Sequence, residues 1–333
     1  MSIWLELLET AIHCPSPHNV QPWRIKIAGD REAALYIDPT RTLPKEDLTG
    51  SFIVLTMGMF IESIALLAKH RGFELNYELS CDLETVAKDL GPQNSGLTSF
   101  ARLTLSSAEA VTVYDPELFF RRRTSRLSFE DRNISDEAVD ALSAIADKFG
   151  QGFHVLTDRE KISRIMHANT EALFEDLNSA DYHDEIVEWF RFTEKQSLEH
   201  RDGLDARCMN TSPANYWLVS RFPSLLKLPI LRSVMSSVYQ HQLGPIPTLG
   251  VISGKFWEPA DALQAGRFLI RFWLETAAQG LYIHPYGNLV TNRNAAEKIM
   301  PDLGTDNSWL IFKIGYSAVP PKSLRLPIER VLV

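Results

Sequence analysis

The chain has only three cysteines in 333 residues, Cys14, Cys81 and Cys208, widely separated and with no CxxC pair. A disulfide framework and a cysteine-based zinc site are therefore excluded, and a reducing, cytoplasmic setting is expected. It has no GxGxxG element, which removes the fingerprint of a wound dinucleotide-binding sheet. It has no GxSxG elbow around Ser16 or Ser253, which disfavours hydrolase chemistry. His13 and His18 lack partners at metal-ligand spacing, so no metal is expected. Positive charge is in deficit, 34 Lys and Arg against 42 Asp and Glu for a net −8, which argues against a nucleic-acid or anionic-membrane surface. No basic segment precedes the opening MSIWLELLETA, which reads as an amphipathic helix and not an export signal. Long hydrophobic runs are nearly absent. Phe52 to Lys69 is the exception, but Thr56, Glu62 and Ser63 interrupt it and Lys69-His70-Arg71-Gly72 closes it, as in a buried core helix.

What is present is a 45% hydrophobic chain, enough for one large core or two ordinary ones. Glycines recur at one interval in two apolar segments, 72 − 58 = 280 − 266 = 14, with Phe60 and Phe268 two residues after the first of each pair. Duplication and coincidence both remain open on this pattern alone. Asp261 is the expected N-cap of the later helix, with Arg271 and Glu275 as a supporting i,i+4 pair. Ser135 and Asp158 open further helices, the latter running through Leu177. Strands are expected at 24–28 and 33–37 as a hairpin about Gly29-Asp30, and at 100–105, 111–114, 153–156, 248–252 and 309–316. Their irregular spacing among helices indicates an α+β fold with mostly antiparallel sheets. Residues 201–243 read as irregular and apolar.

Three segments carry chemistry. Cys14 to Ile25, CPSPHNVQPWRI, places three prolines beside Asn19, Gln21 and Trp23; it is either a stiff connector or a preformed support for a flat ligand. Arg121 to Arg126, RRRTSR, is either a solvated basic loop or an anion site, since guanidinium groups and hydroxyls together suit a phosphomonoester. Pro320 to Pro327, PPKSLRLP, is either an extended tail or a second basic arm to the same anion.

Taken together, these elements resemble the FMN-dependent nitroreductase family. Arg122-Arg123-Thr124-Ser125-Arg126 is similar to its Arg-Arg-Ser-x-Arg phosphate element, and Cys14 to Trp23 to its Pro-Ser/Asn-x-Gln-Pro-Trp flavin loop. Gly280-Leu281 with Pro285-Tyr286-Gly287 is similar to the segment near flavin N5, and Lys322-Ser323-Leu324-Arg325-Leu326-Pro327 to the C-terminal phosphate contact, with one extra residue. The resemblance implies FMN held by Pro15, Ser16, His18, Asn19, Gln21, Arg122, Arg123, Thr124, Arg126, Pro285, Tyr286, Gly287, Lys322 and Arg325. Asn19 and Gln21 would face the ring, and His18 and Tyr286 are the weaker choices for ring or substrate contact.

The loop precedes the arginine element here, the reverse of the usual order. With the glycine repeat, this resembles the internally duplicated Acg-like branch, in which one chain mimics the usual homodimer. The resemblance implies tandem nitroreductase-like halves at 1–115 (ring loop) and 116–333 (phosphate site), one surviving flavin site, and a lid at 181–243. It also implies hydride transfer from NAD(P)H through FMN to a small nitroaromatic, quinone or other conjugated acceptor, by a monomer or a further homo-oligomer. The alternative is a non-catalytic flavin-sequestering protein whose lid closes the pocket.

Overall fold

In the computed structural model, which describes residues 2–89, 91, 96–222 and 228–333, ten strands are found among the described residues. They are β1 (Trp23–Ile27), β2 (Glu32–Ile37), β3 (Phe73–Leu79), β4 (Thr98–Ser107), β5 (Gly152–Leu156), β6 (Phe190–Arg191), β7 (Leu204–Asp205), β8 (Leu249–Ser253), β9 (Tyr282–Pro285) and β10 (Ser308–Gly315). One sheet has the order β1-β2-β4-β3 and a second the order β5-β8-β10-β9. Both are antiparallel throughout. In each, the third strand along the chain lies at an edge beyond the fourth, and one 20-residue helix separates the second strand from the third. β6 and β7 form a separate parallel pair.

Those two helices, Ser51–His70 and Pro259–Ala278, cross at their glycines. A Cβ on Gly58 would collide with the Leu263 carbonyl oxygen, and one on Gly266 with that of Leu55. Only hydrogen fits between the two backbones. The second glycine of each pair lies just beyond its helix with positive φ, 78° at Gly72 and 70° at Gly280, the left-handed conformation that ends helices. The interval of 14 is thus the distance from crossing to stop. Residues of both helices and both sheets share one core, with Phe60, Phe100, Phe268, Phe272 and Phe312 fully buried in it. The apolar run at 51–70 is buried there too.

Glu62 is buried in the same crossing and accepts from Arg267 Nε at 2.7 Å and Arg271 Nε at 2.6 Å. Arg271 is therefore committed across the helix pair and not to Glu275, which accepts from Gln279 instead. Glu62→Gln keeps the volume but leaves two guanidinium groups without their anion. A buried pair losing one partner costs about 3–5 kcal/mol; since both arginines are about a third exposed, solvent screening lowers this to about 2 kcal/mol. Urea titration of wild type and variant measures it.

Ser135 caps the helix Asp136–Lys148 through the Ala138 N–H, and Asp158 caps Arg159–Asn178 through Glu160 and Lys161. The later central helix has Glu258 at the N-cap position, without a side-chain capping bond, Pro259 at its first position, and Asp261, the expected cap, inside its first turn. Residues 111–114 form no strand: Val111 and Val113 are exposed, and the Val111 N–H donates to the Lys69 carbonyl at the end of the first central helix. β3 and β9 complete the sheets without having been expected. Within 201–243 the chain is not irregular, since Pro213–Arg221 and Pro229–Leu243 are helices; of the expected lid, 223–227 lie outside the described residues. The C-terminus returns to the first sheet, where Leu332 bridges Ile25 and the Val333 N–H donates to the Ile25 carbonyl.

Candidate functional site

The proline loop is held in a costly conformation. His18, Asn19 and Gln21 have φ of 45°, 55° and 53°, three non-glycine residues in the left-handed region within four positions. Each costs of order 1 kcal/mol, and such geometry persists only where its surroundings over-determine it. Here they do. The Ser16 hydroxyl accepts from the Gln21 N–H, the Ser16 carbonyl from the Asn19 N–H, and the Leu324 carbonyl from Asn19 Nδ2. Gln21 is fully buried and its amide is fully used: Oε1 accepts from the Leu326 N–H at 2.8 Å, while Nε2 donates to the Asn19 and Arg201 carbonyls. Gln21 therefore pins the loop to the C-terminal tail. Asn19 keeps one buried oxygen, Oδ1, without a partner.

Beside the loop, Arg122 and Arg325 are buried at 5% and 7% exposure. Both guanidinium groups donate to the His13 carbonyl, at 3.1 and 3.4 Å. Among the described residues neither has a carboxylate partner, and each retains a buried Nε with no acceptor. Burial, and the field of Arg325, push Arg122 down to about 9; burial pushes Arg325 down to about 10. His13 falls to about 3, chiefly by burial and then by the charges of Arg325, Lys322 and Arg122. A cleft of about 230 Å³ opens here, lined by His13, Arg201, Lys322 and Arg325 among others. Two buried cations without a carboxylate partner form a candidate anion site.

The arginine element does not converge on that point as a whole. It runs beside β9, with Thr124 bridged to Ile283 and the Ser125 N–H donating to the Ile283 carbonyl. This alignment separates its members. Arg122 goes to the anion site, packed 4.6 Å over the Trp273 ring. Arg123 is spent on the carbonyls of Pro320 and Phe120. Arg126 enters a different region, where its charge acts on His18, Tyr216, Tyr239, His284 and Tyr286. The Tyr286 hydroxyl, His284 Nδ1, Asn169 Oδ1 and His18 Nδ1 are all buried without partners. Tyr286 is 3% exposed, so its hydroxyl is not solvated. Its N–H donates to the Ile311 carbonyl, and Gly287 has open space where a Cβ would stand.

A strap from residues 201–210 lies over both regions. Arg201 Nε donates to the Arg325 carbonyl and the Gly203 N–H to the Asn19 carbonyl. Arg126 donates to the Cys208 carbonyl, and Asn210 Nδ2 to the Arg126 carbonyl. Asp202, itself buried, is held by Arg41 and Arg191.

The structure thus gathers Arg122, Lys322 and Arg325 at one end, with His18, Arg126 and Tyr286 at the other. Pro15 and Ser16 form the loop's base. The sequence reading missed His13, Arg201, His284, Tyr239 and Asn169; none stands in a spacing that would have singled it out.

No family model matches the chain. It is 24% identical over 315 residues to a probable NAD(P)H nitroreductase, PigM, of Serratia sp., covering 87% of this chain and 82% of that protein. Among solved structures, it is similar to the FMN-dependent nitroreductase NfnB of Mycobacterium smegmatis in complex with NADPH, at 16% identity, TM-score 0.39, and coverage of 64% of this chain and 94% of that one. It is also similar to a nitroreductase with bound FMN from Bacteroides fragilis, at 15% identity, TM-score 0.36, and coverage of 63% and 93%. The similarity in sequence to the Serratia protein thus extends over most of both chains.

Proposed function

We propose that the chain is an FMN-dependent oxidoreductase that passes hydride equivalents from NAD(P)H to a small nitroaromatic, quinone or other conjugated acceptor. The observation that carries this reading is the pair Arg122 and Arg325, both buried, both donating to the His13 carbonyl, without a carboxylate partner among the described residues, and each with an unpartnered Nε. A phosphate monoester relieves their mutual repulsion and accepts from both. The donor set fits FMN: Arg122, Arg325 and Lys322 would hold the phosphate, and Thr124 lies beside it in the chain. Arg126, Pro285, Tyr286 and Gly287, with Pro15, Ser16 and His18, would line the ring. The activity in the Serratia relative's name agrees with this reading.

Bound FMN supplies the two-electron chemistry; the protein supplies orientation and field. Arg126 brings positive charge to the ring region, where negative charge develops on reduction. The strained loop arrives preformed, so little order is lost on binding. The strap excludes water. The equal strand orders and the glycine crossing support reading 1–115 and 116–333 as tandem halves forming an intrachain pseudo-dimer with one flavin site.

The strap's contacts with Asn19, Gln21, Arg126 and Arg325 favour a second reading, a flavin-sequestering protein closed to NAD(P)H. Anaerobic mixing separates the two. The enzyme reading expects a yellow protein whose flavin band bleaches with NADH or NADPH and returns with a quinone or nitroaromatic. Flavin that binds but is never reduced by either nucleotide leaves sequestration, and failure to take up FMN overturns both.

A further inference from the structure

The cleft beside Arg122 and Arg325 receives a third arginine, from the strap. Arg201 lines it with His13, Lys322 and Arg325, and no aspartate or glutamate is among the described residues that do. The short helix Glu194–His200 delivers it: a capping box of Thr193 and Gln196 fixes the helix start, and Arg201 ends it with φ of 58° and its N–H donating to the Ser197 carbonyl. A left-handed residue at a helix end is ordinarily glycine, so an arginine is held there against its backbone preference. Its carbonyl accepts from Gln21 Nε2 at 3.0 Å, and its Nε donates to the Arg325 carbonyl at 2.8 Å. Among the described residues its two Nη groups have no partner and its charge has no carboxylate. That Nη edge, which grips phosphate oxygens two at a time, is available to the cleft.

The next residues anchor the strap independently of the tail. Asp202 accepts from Arg41 Nη2 at 2.5 Å and from Arg191 Nε and Nη2 at 2.9 and 2.6 Å. Gly203 passes so close to the Trp189 carbonyl that a Cβ would collide with it. We propose that Arg201 is a ligand of the flavin phosphate and that it makes closure of the strap depend on that phosphate. The inference rests on the FMN reading above, and applies to an enzyme and to a sequestering protein equally. Arg201, Lys322 and Arg325 bring like charge to one cleft of about 230 Å³, which opposes closure until an anion stands between them. A phosphate monoester reverses the sign and joins strap to tail. The coupling is reciprocal: phosphate favours the closed strap as strongly as the closed strap favours phosphate.

Flavin affinity gives one readout, for FMN and for riboflavin, which lacks the phosphate. Arg201→Gln removes the charge, so FMN affinity should fall roughly 10- to 100-fold, the range of one hydrogen bond to a charged group, with riboflavin affinity unchanged. Arg201→Lys keeps the charge and should retain most of the preference for FMN. A role limited to supporting the Arg325 carbonyl predicts equal effects of the two substitutions, because both remove Nε. Amide hydrogen exchange of the full chain gives a second readout, independent of turnover. The N–H groups of Gly203, Leu204 and Ala206 donate to the carbonyls of Asn19, Trp189 and Arg191, and they report strap closure. They should exchange roughly tenfold more slowly with FMN bound than with riboflavin bound, and at equal rates in Arg201→Gln.

Unchanged FMN affinity in Arg201→Gln, equal loss of FMN and riboflavin affinity there, equal FMN affinities for Arg201→Lys and Arg201→Gln, or strap exchange that ignores the phosphate overturns the proposal and leaves the FMN reading standing. A wild type that takes no FMN, or does not prefer it to riboflavin, overturns the underlying reading and this inference with it. The wild-type preference and the Arg201 variants thus tell the two failures apart.

Discussion

Replacing Arg122 and Arg325 together by alanine is expected to weaken FMN binding by roughly 10²- to 10⁴-fold. Each hydrogen bond to a charged group contributes about 1.5–3 kcal/mol, and two of them convert to that range in Kd. Arg122, not its neighbour Arg123, is varied with Arg325 because these two share the His13 carbonyl, whereas Arg123 donates to the Pro320 and Phe120 carbonyls. Fluorescence quenching of FMN on titration gives the affinity, and riboflavin, which lacks the phosphate, is the control. Wild type should prefer FMN strongly and the double variant should barely distinguish the two. Stability separates loss of a ligand contact from loss of the fold. Both guanidinium groups are held below their usual range by burial, so folding disfavours their charge and removing it carries no electrostatic penalty. Unchanged FMN affinity in the double variant removes the phosphate assignment.

Gly266→Val is expected to cost about 3 kcal/mol or more, a large part of the 5–15 kcal/mol by which an ordinary domain is stable. Overpacking usually costs about 1–3 kcal/mol because side chains give way. At Gly266 the obstacles are the carbonyl of Leu55 and the amide nitrogen of Met59, backbone atoms of the facing helix that give way only if the helices part. Parting them disturbs the core common to both sheets. Gly29→Ala is the control, since no atom lies within 4 Å of its would-be Cβ, and a surface change of this kind stays within about 0.5 kcal/mol. Equal urea midpoints for the two variants contradict the close crossing.

Local chemistry was legible in the sequence where it acts over a few residues. Ser135 and Asp158 cap the helices they precede because a short acceptor side chain reaches N–H groups two or three positions on. Arg122, Lys322 and Arg325 were legible as candidate anion ligands by residue type. Their separation from Arg126 was not, because it depends on the element lying beside β9. The tie from Gln21 to the tail was not legible for a related reason: its partners Leu326 and Arg201 are remote in the chain. β9 escaped notice because four residues containing a histidine and a proline carry no alternation to read.

The bond from Leu326 to Gln21 spans 305 residues, and this sets an order of events during synthesis. The loop leaves the ribosome 305 residues ahead of Leu326. At roughly 5–20 residues per second, about 15–60 s pass between the two. A nascent chain has Gln21 but nothing to hold it in its left-handed geometry, and Arg122 but no second cation. The tie that holds the loop cannot form until Leu326 has been made, so on the proposed reading flavin binding follows synthesis of the tail, and a chain cut short before residue 325 has neither the tie nor the second cation.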